Sequence, residues 1–242
     1  MRINISSFII VIAFLFNGCD DNSNVKSNKD TNSSKVNEEI IVHNGFTYKT
    51  VTSPYTNNIW LDRNLGAARV CTSSNDTACF GDYYQWGRGF DGHQDSLSAT
   101  TTKQATSITD TDDKFILDED DWAYNIDRNG SKREKLLLKT DGSFVCPKGF
   151  RIPTPDEFMA EVTESNSTNN IDMFKIFLKL PTAGIRYGDN GKVVIKDAGF
   201  LTVTTSTSDK SSDYFVYSSD GVGIGLLGDR SNGLNIRCIK AK

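Results

Sequence analysis

The chain has 242 residues, of which 27 are Lys or Arg and 31 are Asp or Glu, for a formal net charge of −4. This acidic balance argues against broad nucleic-acid binding, which normally shows as a basic excess, so we expect no nucleic-acid partner. About 200 residues follow the polar N-terminal region, enough for one large domain with its own hydrophobic core.

The N-terminus has the parts of a secretory signal peptide. Arg2 precedes an unbroken apolar run over residues 8–16, which is too short for a membrane-spanning helix of ~20 apolar residues. Gly18 and Cys19 follow, and the sequence then turns abruptly polar. This pattern is typical of lipoprotein processing, so we expect residues 1–18 to be removed and Cys19 to be acylated, for instance with palmitate. The alternatives are an ordinary signal peptide and an uncleaved anchor, in which Cys19 has no special role.

Residues 19–38 link this site to the rest of the chain. Val25 and Val36 are their only large apolar side chains, so the segment cannot bury enough surface to offset its ordering entropy. We therefore expect a flexible tether between a lipid bilayer and a single domain, residues 39–242. We expect that bilayer to be the outer membrane, with the domain at the cell surface, rather than the inner membrane.

Four further cysteines follow Cys19, and an even number in an exported chain favours disulfides. Three pairings are possible. A bridge between Cys71 and Cys79, across a polar segment, is the simplest, and it would leave Cys146 to pair with Cys238. A metal site is the alternative, but the chain has no Cys-x-x-Cys and only two histidines.

Strand signals dominate both ends of the chain. Asn44 and Gly45 stand between two β-prone runs and predict a hairpin, and residues 59–62 are a plausible third strand. After residue 181 the pattern is of short strands and glycine turns, with a hairpin over 185–195 and strands near 200–205, 214–218, 222–227 and 234–239.

The middle of the chain predicts loops and two helices. Residues 91–135 are polar and irregular, which indicates a long loop. Thr154, Pro155 and Glu157 form a capping box at the start of one helix, and a second helix is expected over 171–180, ended by Pro181. The chain therefore predicts an α+β fold, an antiparallel sheet with two short helices and long loops.

Two groups of side chains in the loops are candidate binding residues. Oxygen ligands from the acidic run, above all Asp118, Asp120 and Asp121, could hold Ca²⁺, although no EF-hand spacing is present and a solvated acidic loop is the more common case. Four aromatic residues could stack on a sugar or contact a protein, although core packing is the more common case: Tyr83, Tyr84, Trp86 and Trp122.

No catalytic constellation stands out. His93 could be a general base or a metal ligand, but no second histidine or nucleophile motif lies near it, which favours a structural role. Paired carboxylates for glycoside hydrolysis are a possibility, but nothing singles out a pair. We therefore predict a protein that is not an enzyme and assign no catalytic residue and no cofactor besides the possible Ca²⁺.

Five segments in one order resemble the Fibrobacter succinogenes major paralogous domain family. They are WLDRNLG at 60–66, GDYYQWGR at 81–88, CPKGFRIPTPDEF at 146–158, LPTAGIR at 180–186 and NIRCIK at 235–240. The RIPTPDE core is also similar to the C-terminal domains of Legionella collagen-like adhesins. The resemblance covers about residues 40–240.

The resemblance implies an exported, often lipid-anchored domain of C-type-lectin-like fold, in which the N- and C-terminal strands pair and long loops carry binding. A Cys146–Cys238 bridge would fit that closure. The calcium-dependent sugar motifs of true C-type lectins are absent. We therefore expect a non-catalytic, adhesin-like module that binds a glycan or a protein through loops 88–135 and 205–232. The alternatives are a polysaccharide-acting enzyme that uses the acidic-loop carboxylates, and a structural envelope lipoprotein.

Overall fold

The computed structural model describes residues 38–109, 112–195, 197–206 and 209–242. The expected signal peptide over 1–18, the acylated Cys19 and the tether up to residue 37 lie outside the described residues, so these remain predictions. The Ca²⁺ and aromatic candidates all lie within them.

The described residues are richer in strands than in helices. The helices are α1 (Ser131–Leu137), α2 (Pro155–Ser165) and α3 (Asn170–Lys175), and a 3₁₀ turn covers Thr77–Cys79. The strands are β1 (Ile40–His43), β2 (Phe46–Thr52), β3 (Ile59–Leu61), β4 (Tyr84–Gln85), β5 (Thr100–Thr101), β6 (Phe115–Ile116), β7 (Phe150–Arg151), β8 (Ile185–Arg186), β9 (Val193–Val194), β10 (Gly199–Ser206), β11 (Ser211–Ser218), β12 (Gly221–Asp229), β13 (Gly233–Leu234) and β14 (Ile239–Lys240).

The largest sheet joins the two ends of the domain. Its strand order is β1-β2-β3-β14-β7, and all of its pairs are antiparallel. The predicted hairpin is confirmed: Asn44 and Gly45 connect β1 to β2 with φ of 47° and 80°, as a tight turn between right-handed twisted strands requires. The other sheets are β4-β13-β8-β9, β10-β11-β12 and the short parallel pair β5-β6. The fold is α+β and dominated by antiparallel sheet, as the sequence predicted.

Helix α2 begins at the predicted capping box. The Thr154 hydroxyl accepts from the Glu157 N–H at 3.2 Å, and the Glu157 carboxylate accepts from the Thr154 N–H at 2.9 Å. The helix then packs Phe158 on Phe215 of β11, with ring centroids 4.4 Å apart and nearly parallel. The capping box thus determines where α2 begins, and its apolar face packs on the three-stranded sheet.

The second predicted helix is shorter than expected, and one helix was missed. Helix α3 ends at Lys175 instead of residue 180, because Ile176, Leu178 and Leu180 continue in non-helical backbone and all three side chains are buried in the core. Helix α1 begins inside the predicted long loop 91–135 and ends two residues beyond it. Its seven residues carry only a weak periodic pattern, and its buried Arg133 is held by carboxylates from the preceding turns.

Both expected disulfides are formed. Cys71 bridges Cys79 across eight positions, and Cys146 bridges Cys238 across 92. The second bridge joins the residues just before β7 and β14, two neighbouring strands of the largest sheet. It therefore closes the segment that carries α2, α3 and strands β7 to β13.

Candidate functional site

The four aromatic candidates are core residues. Tyr83, Tyr84, Trp86 and Trp122 are at most 3% exposed. The indole N–H of Trp86 donates to Val203 O at 3.1 Å, and that of Trp122 donates to Trp86 O at 2.9 Å. Because their polar atoms are satisfied internally and their rings are enclosed, none of the four presents a ring face for stacking on an external ligand. This corrects the predicted ligand-binding role.

The acidic candidates do not share a site either. Asp121 is fully buried between Arg133 and Arg230, with N–O distances of 2.5 and 3.0 Å. Asp120 pairs with the half-exposed Lys210 at 2.5 Å. Asp118 accepts from the backbone N–H groups of Asp120 and Asp121 at 2.8 and 2.9 Å, which closes a local turn.

These contacts correct the expected Ca²⁺ site. Asp121 faces two guanidinium groups, which already neutralise its charge, so it is not oriented with Asp118 and Asp120 toward a common ion. Nowhere in the described ranges do three His, Cys, Asp or Glu side chains meet in a group that could hold a metal ion.

His93 has a structural environment, which agrees with the sequence interpretation. Its ring is fully buried, Nδ1 lies 2.5 Å from Asp91 Oδ1, and Nε2 accepts from the Gln85 N–H at 3.1 Å. Burial lowers the pKa of His93 to about 4, despite the opposing effect of Asp91. A neutral imidazole whose two nitrogens are both engaged by the protein has no free lone pair with which to take a substrate proton.

Buried arginines hold the irregular loops in place. Arg186 of β8 is 1% exposed. Its guanidinium donates to the carbonyls of His93, Asp95, Ser98 and Gly191 at 2.7–3.1 Å. The same group lies 4.1 Å from the ring centroid of Phe115. The guanidinium group of this one side chain therefore connects the loop over residues 93–98 to the β8–β9 hairpin by donating to uncharged carbonyl groups in both.

A surface groove of about 550 Å³ lies beside this anchored loop. Its lining comes from three segments: the 3₁₀ turn and the residues after it, the loop over 96–97, and the β8–β9 hairpin with Ile195. Leu97 and Ile195 are 91% and 50% exposed, whereas Phe80 and Tyr83 in the lining are buried. The groove is open to solvent, so it is a surface depression rather than an enclosed small-molecule pocket, and its lining combines apolar side chains with a few polar groups.

Local backbone chemistry shapes the groove. Gly81 has φ of +79°, and a Cβ there would lie 2.3 Å from Leu65 O, so a side chain is excluded sterically as well as conformationally. The Cys71–Cys79 bridge packs with Phe80 and Ala183 in a small core cluster behind the lining. The groove is therefore supported by a disulfide on one side and by Arg186 on the other.

Sequence reasoning named Tyr83 of the groove lining and the loop region that contains Leu97, but it singled out neither Leu97 nor Ile195. Leu97 is a single apolar residue in a polar stretch, and such a residue more often anchors a loop to the core than projects into solvent. Ile195 lies at the end of a predicted strand, where half-burial is the ordinary expectation. Their shared exposure depends on the Arg186 contacts, which join residues about 90 positions apart and leave no local pattern.

Asp82 is a half-buried carboxyl in the loop before β4. It lies against Gly66, where a Cβ would come 2.2 Å from the Asp82 Cγ. The Tyr84 hydroxyl donates to Asp82 Oδ2 at 3.3 Å. Burial raises the pKa of Asp82 to about 7, the Tyr84 hydrogen bond lowers it, and the charge of Asp95 raises it. The neutral carboxylic acid is thus the form that the fold favours.

Replacing Asp82 with Asn should stabilise the protein at high pH only. The pKa of the Asp82 carboxyl is about 7 in the folded protein, above the ordinary value of about 3.9. The free energy that this carboxyl contributes to folding is therefore fully present below pH ~4 and is lost as the pH rises to 7. We expect Asp82→Asn to raise the free energy of unfolding by on the order of 2–4 kcal/mol at pH 8 and to change it little at pH 4. Urea unfolding at pH 4, 6 and 8 measures this difference.

The exposed Asp220 in the β11–β12 turn supplies the matched control. Asp220→Asn should change the free energy of unfolding by less than about 0.5 kcal/mol at each pH. Equal effects of Asp82→Asn at pH 4 and 8, or a loss of stability at pH 8, would contradict the argument.

Comparison with known proteins assigns neither a family nor a function to the chain. No family model matches the chain, and no significant match was found among curated proteins or solved structures. Within the described residues, no helix combines the length and the apolar character that crossing a membrane requires. The resemblance to the paralogous-domain family therefore stays a prediction.

Proposed function

We propose that this chain is a cell-envelope lipoprotein whose domain, residues 39–242, is a non-catalytic, adhesin-like binding module. In this proposal residues 1–18 direct export, Cys19 carries the acyl chains, and the tether displays the domain at the outer membrane or cell surface. The observation that carries the binding role is the preformed groove beside Leu97, whose walls are fixed by Arg186 and by the Cys71–Cys79 bridge.

Rigid walls favour a binding role for physical reasons. A loop that is already ordered loses little conformational entropy when a ligand arrives, so more of the contact energy appears as affinity. Arg186 restrains the 93–98 loop through four acceptor atoms, including the Ser98 hydroxyl, on three residues of that loop. Leu97 is thereby held exposed although it is apolar, and it shares the groove with the half-exposed Ile195.

The strand pairing supports a C-type-lectin-like form of the fold. β3 from the N-terminal region pairs antiparallel with β14 at the C-terminal end, through Trp60 and Ile239. The Cys146–Cys238 bridge lies beside this closure, since Cys238 directly precedes β14. We propose on this basis that the domain is a loop-presenting scaffold of that type.

The lining of the groove favours a protein ligand over a glycan. The aromatic rings in the lining, Phe80 and Tyr83, are 6% and 3% exposed, so they present little ring surface for stacking on a sugar. The exposed apolar groups are instead aliphatic, and Thr77, Ser96 and Lys192 provide hydroxyl and ammonium groups beside them. This combination suits a segment of protein with an apolar side chain and polar backbone groups.

An array of extracellular-matrix proteins and glycans tests the proposal. The full protein, purified from the membrane fraction with its disulfides oxidised, should bind one ligand class saturably, with a protein ligand expected. Leu97→Asp should weaken that binding by about tenfold or more, because it places a charge in an apolar contact. Absence of the protein from the membrane fraction would contradict the proposed lipid anchor, but it would not bear on the groove.

A matched variant distinguishes the groove from general surface chemistry. Ile171 in α3 is 58% exposed and is not part of the groove lining, so Ile171→Asp should bind as the unmodified protein does. An equal loss in both variants, or none in Leu97→Asp, would overturn the groove as the site. Binding that requires added Ca²⁺ would also overturn the groove as the site, because its lining contains no carboxylate.

A further inference from the structure

Among the described residues, strand β1 lies at an unpaired edge of its sheet and has a defined hydrogen-bonding pattern. The Thr50 N–H donates to Glu39 O at 3.0 Å, and the register pairs Ile41 with Tyr48 and His43 with Phe46. In an antiparallel ladder, hydrogen-bonded pairs alternate with non-hydrogen-bonded ones. Ile40 and Val42 therefore direct their N–H and C=O groups away from β2, toward the edge of the five-stranded sheet.

The same two residues are among the most exposed apolar side chains of the described chain. Ile40 is 67% exposed and Val42 is 74% exposed, whereas Ile41 and His43, which point to the other face, are half-buried. Unpaired edge groups together with exposed β-branched side chains are a template for pairing with another strand. Natural edges usually avoid this combination with short strands, charges, prolines or bulges. β1 is short, at four residues, but no charged residue, proline or bulge interrupts it.

We propose that β1 is a homodimer interface, in which β1 of one copy pairs antiparallel with β1 of a second copy. The register that satisfies the open edge places Ile40 opposite Val42 of the second copy, Ile41 opposite its own counterpart, and Glu39 opposite His43 of the second copy. Both N–H groups and both C=O groups of each copy's Ile40 and Val42 are then paired. The result is a continuous ten-stranded sheet across a two-fold axis.

The register and the apolar side chains of β1 select a second copy as the occupant, because antiparallel pairing matches β1 to itself. Glu38 and Glu39 at its start already pair with Lys49 and Lys240 of the same chain, and antiparallel self-pairing keeps them away from the same residues of the second copy. On the exposed face, Ile40 and Val42 of the two copies form one apolar ladder, because directly opposed residues share a face. Parallel self-pairing would instead place the acidic ends together.

The interface is small, which determines how it should be measured. One pair of four-residue strands buries less than the ~800 Å² per partner of a stable interface, so we expect a weak, reversible dimer. Covalent trapping detects such a species. In the proposed register Ile41 faces its own counterpart as a non-hydrogen-bonded pair, with Cα atoms about 4.5 Å apart, within the range that a disulfide spans.

Trapping with Ile41→Cys in the full chain tests the proposal. Under mild oxidation this variant should form a disulfide-linked dimer about tenfold faster than Leu97→Cys, because pre-alignment raises the effective thiol concentration. Leu97 is the control because it is more exposed and lies away from β1. The unmodified chain reports any cross-linking through Cys19.

A proline substitution supplies the second arm. Val42→Pro removes an N–H that points out of the sheet, so the intramolecular β1–β2 ladder is kept and the edge pairing is lost. In the Ile41→Cys background it should reduce trapping to the Leu97→Cys rate, with an unchanged melting temperature. Equal trapping rates for Ile41→Cys and Leu97→Cys, or trapping insensitive to Val42→Pro, would overturn the proposal. If Ile41→Cys unfolds, the Ile40→Cys, Val42→Cys double variant traps the same register.

Discussion

Replacing Asp121 with Ala should lower the free energy of unfolding by about 3–5 kcal/mol, because it removes one partner from a buried ion cluster. Asp121, Arg133 and Arg230 are each 0% exposed, and the carboxylate lies 2.5 and 3.0 Å from the two guanidinium groups. Without it, Arg230 loses its nearest carboxylate and Arg133 keeps only Asp127. Equilibrium urea unfolding at pH 7 measures the loss.

The adjacent residue provides the control. Asp120 also pairs with a cation, but the side chains of Asp120 and Lys210 are 46% and 47% exposed, so Asp120→Ala should cost less than about 1 kcal/mol. The two variants remove the same charge one position apart. Similar losses in both would show that the buried cluster contributes no more to stability than an exposed ion pair does.

Removing the Cys146–Cys238 bridge should be about as costly. The bridge closes a loop of 92 positions, and the chain-entropy relation gives about 4–5 kcal/mol for a loop of that length. We expect the Cys146→Ala, Cys238→Ala double variant to lose this amount in urea unfolding. Since the bridge also joins neighbouring strands of the largest sheet, the remaining structure should unfold in one transition at lower urea.

The local bridge is the internal comparison. Cys71 and Cys79 are separated by eight positions, so the same relation gives about 2–3 kcal/mol for the Cys71→Ala, Cys79→Ala variant. Ligand binding should nevertheless suffer more in this variant, because this bridge packs behind the groove lining. A reversed order of the two stability losses would contradict the entropic account.

Local sequence determined those parts of the fold whose physical cause is local. Asn44 and Gly45 adopt the positive φ that a two-residue hairpin needs, and Thr154 with Glu157 satisfies the first N–H groups of α2. The disulfide pairing also followed from spacing, since the short polar segment between Cys71 and Cys79 favoured closure and left one further pair. Each of these features depends on a few neighbouring residues, so it can be predicted without knowledge of the rest of the chain.

Only the tertiary structure decided which side chains are accessible. Trp86 and Trp122 are aromatic residues of the kind that stack on ligands, but segments distant in sequence bury them. The indole N–H of Trp86, for example, donates to Val203 O, 117 positions away. Asp121 lies in an acidic run, yet Arg230, 109 positions away, converts it into part of the core. Burial and charge pairing are sums over long-range neighbours, and no local pattern encodes them. For the same reason Leu97, an ordinary loop residue in the sequence, becomes the exposed wall of the groove.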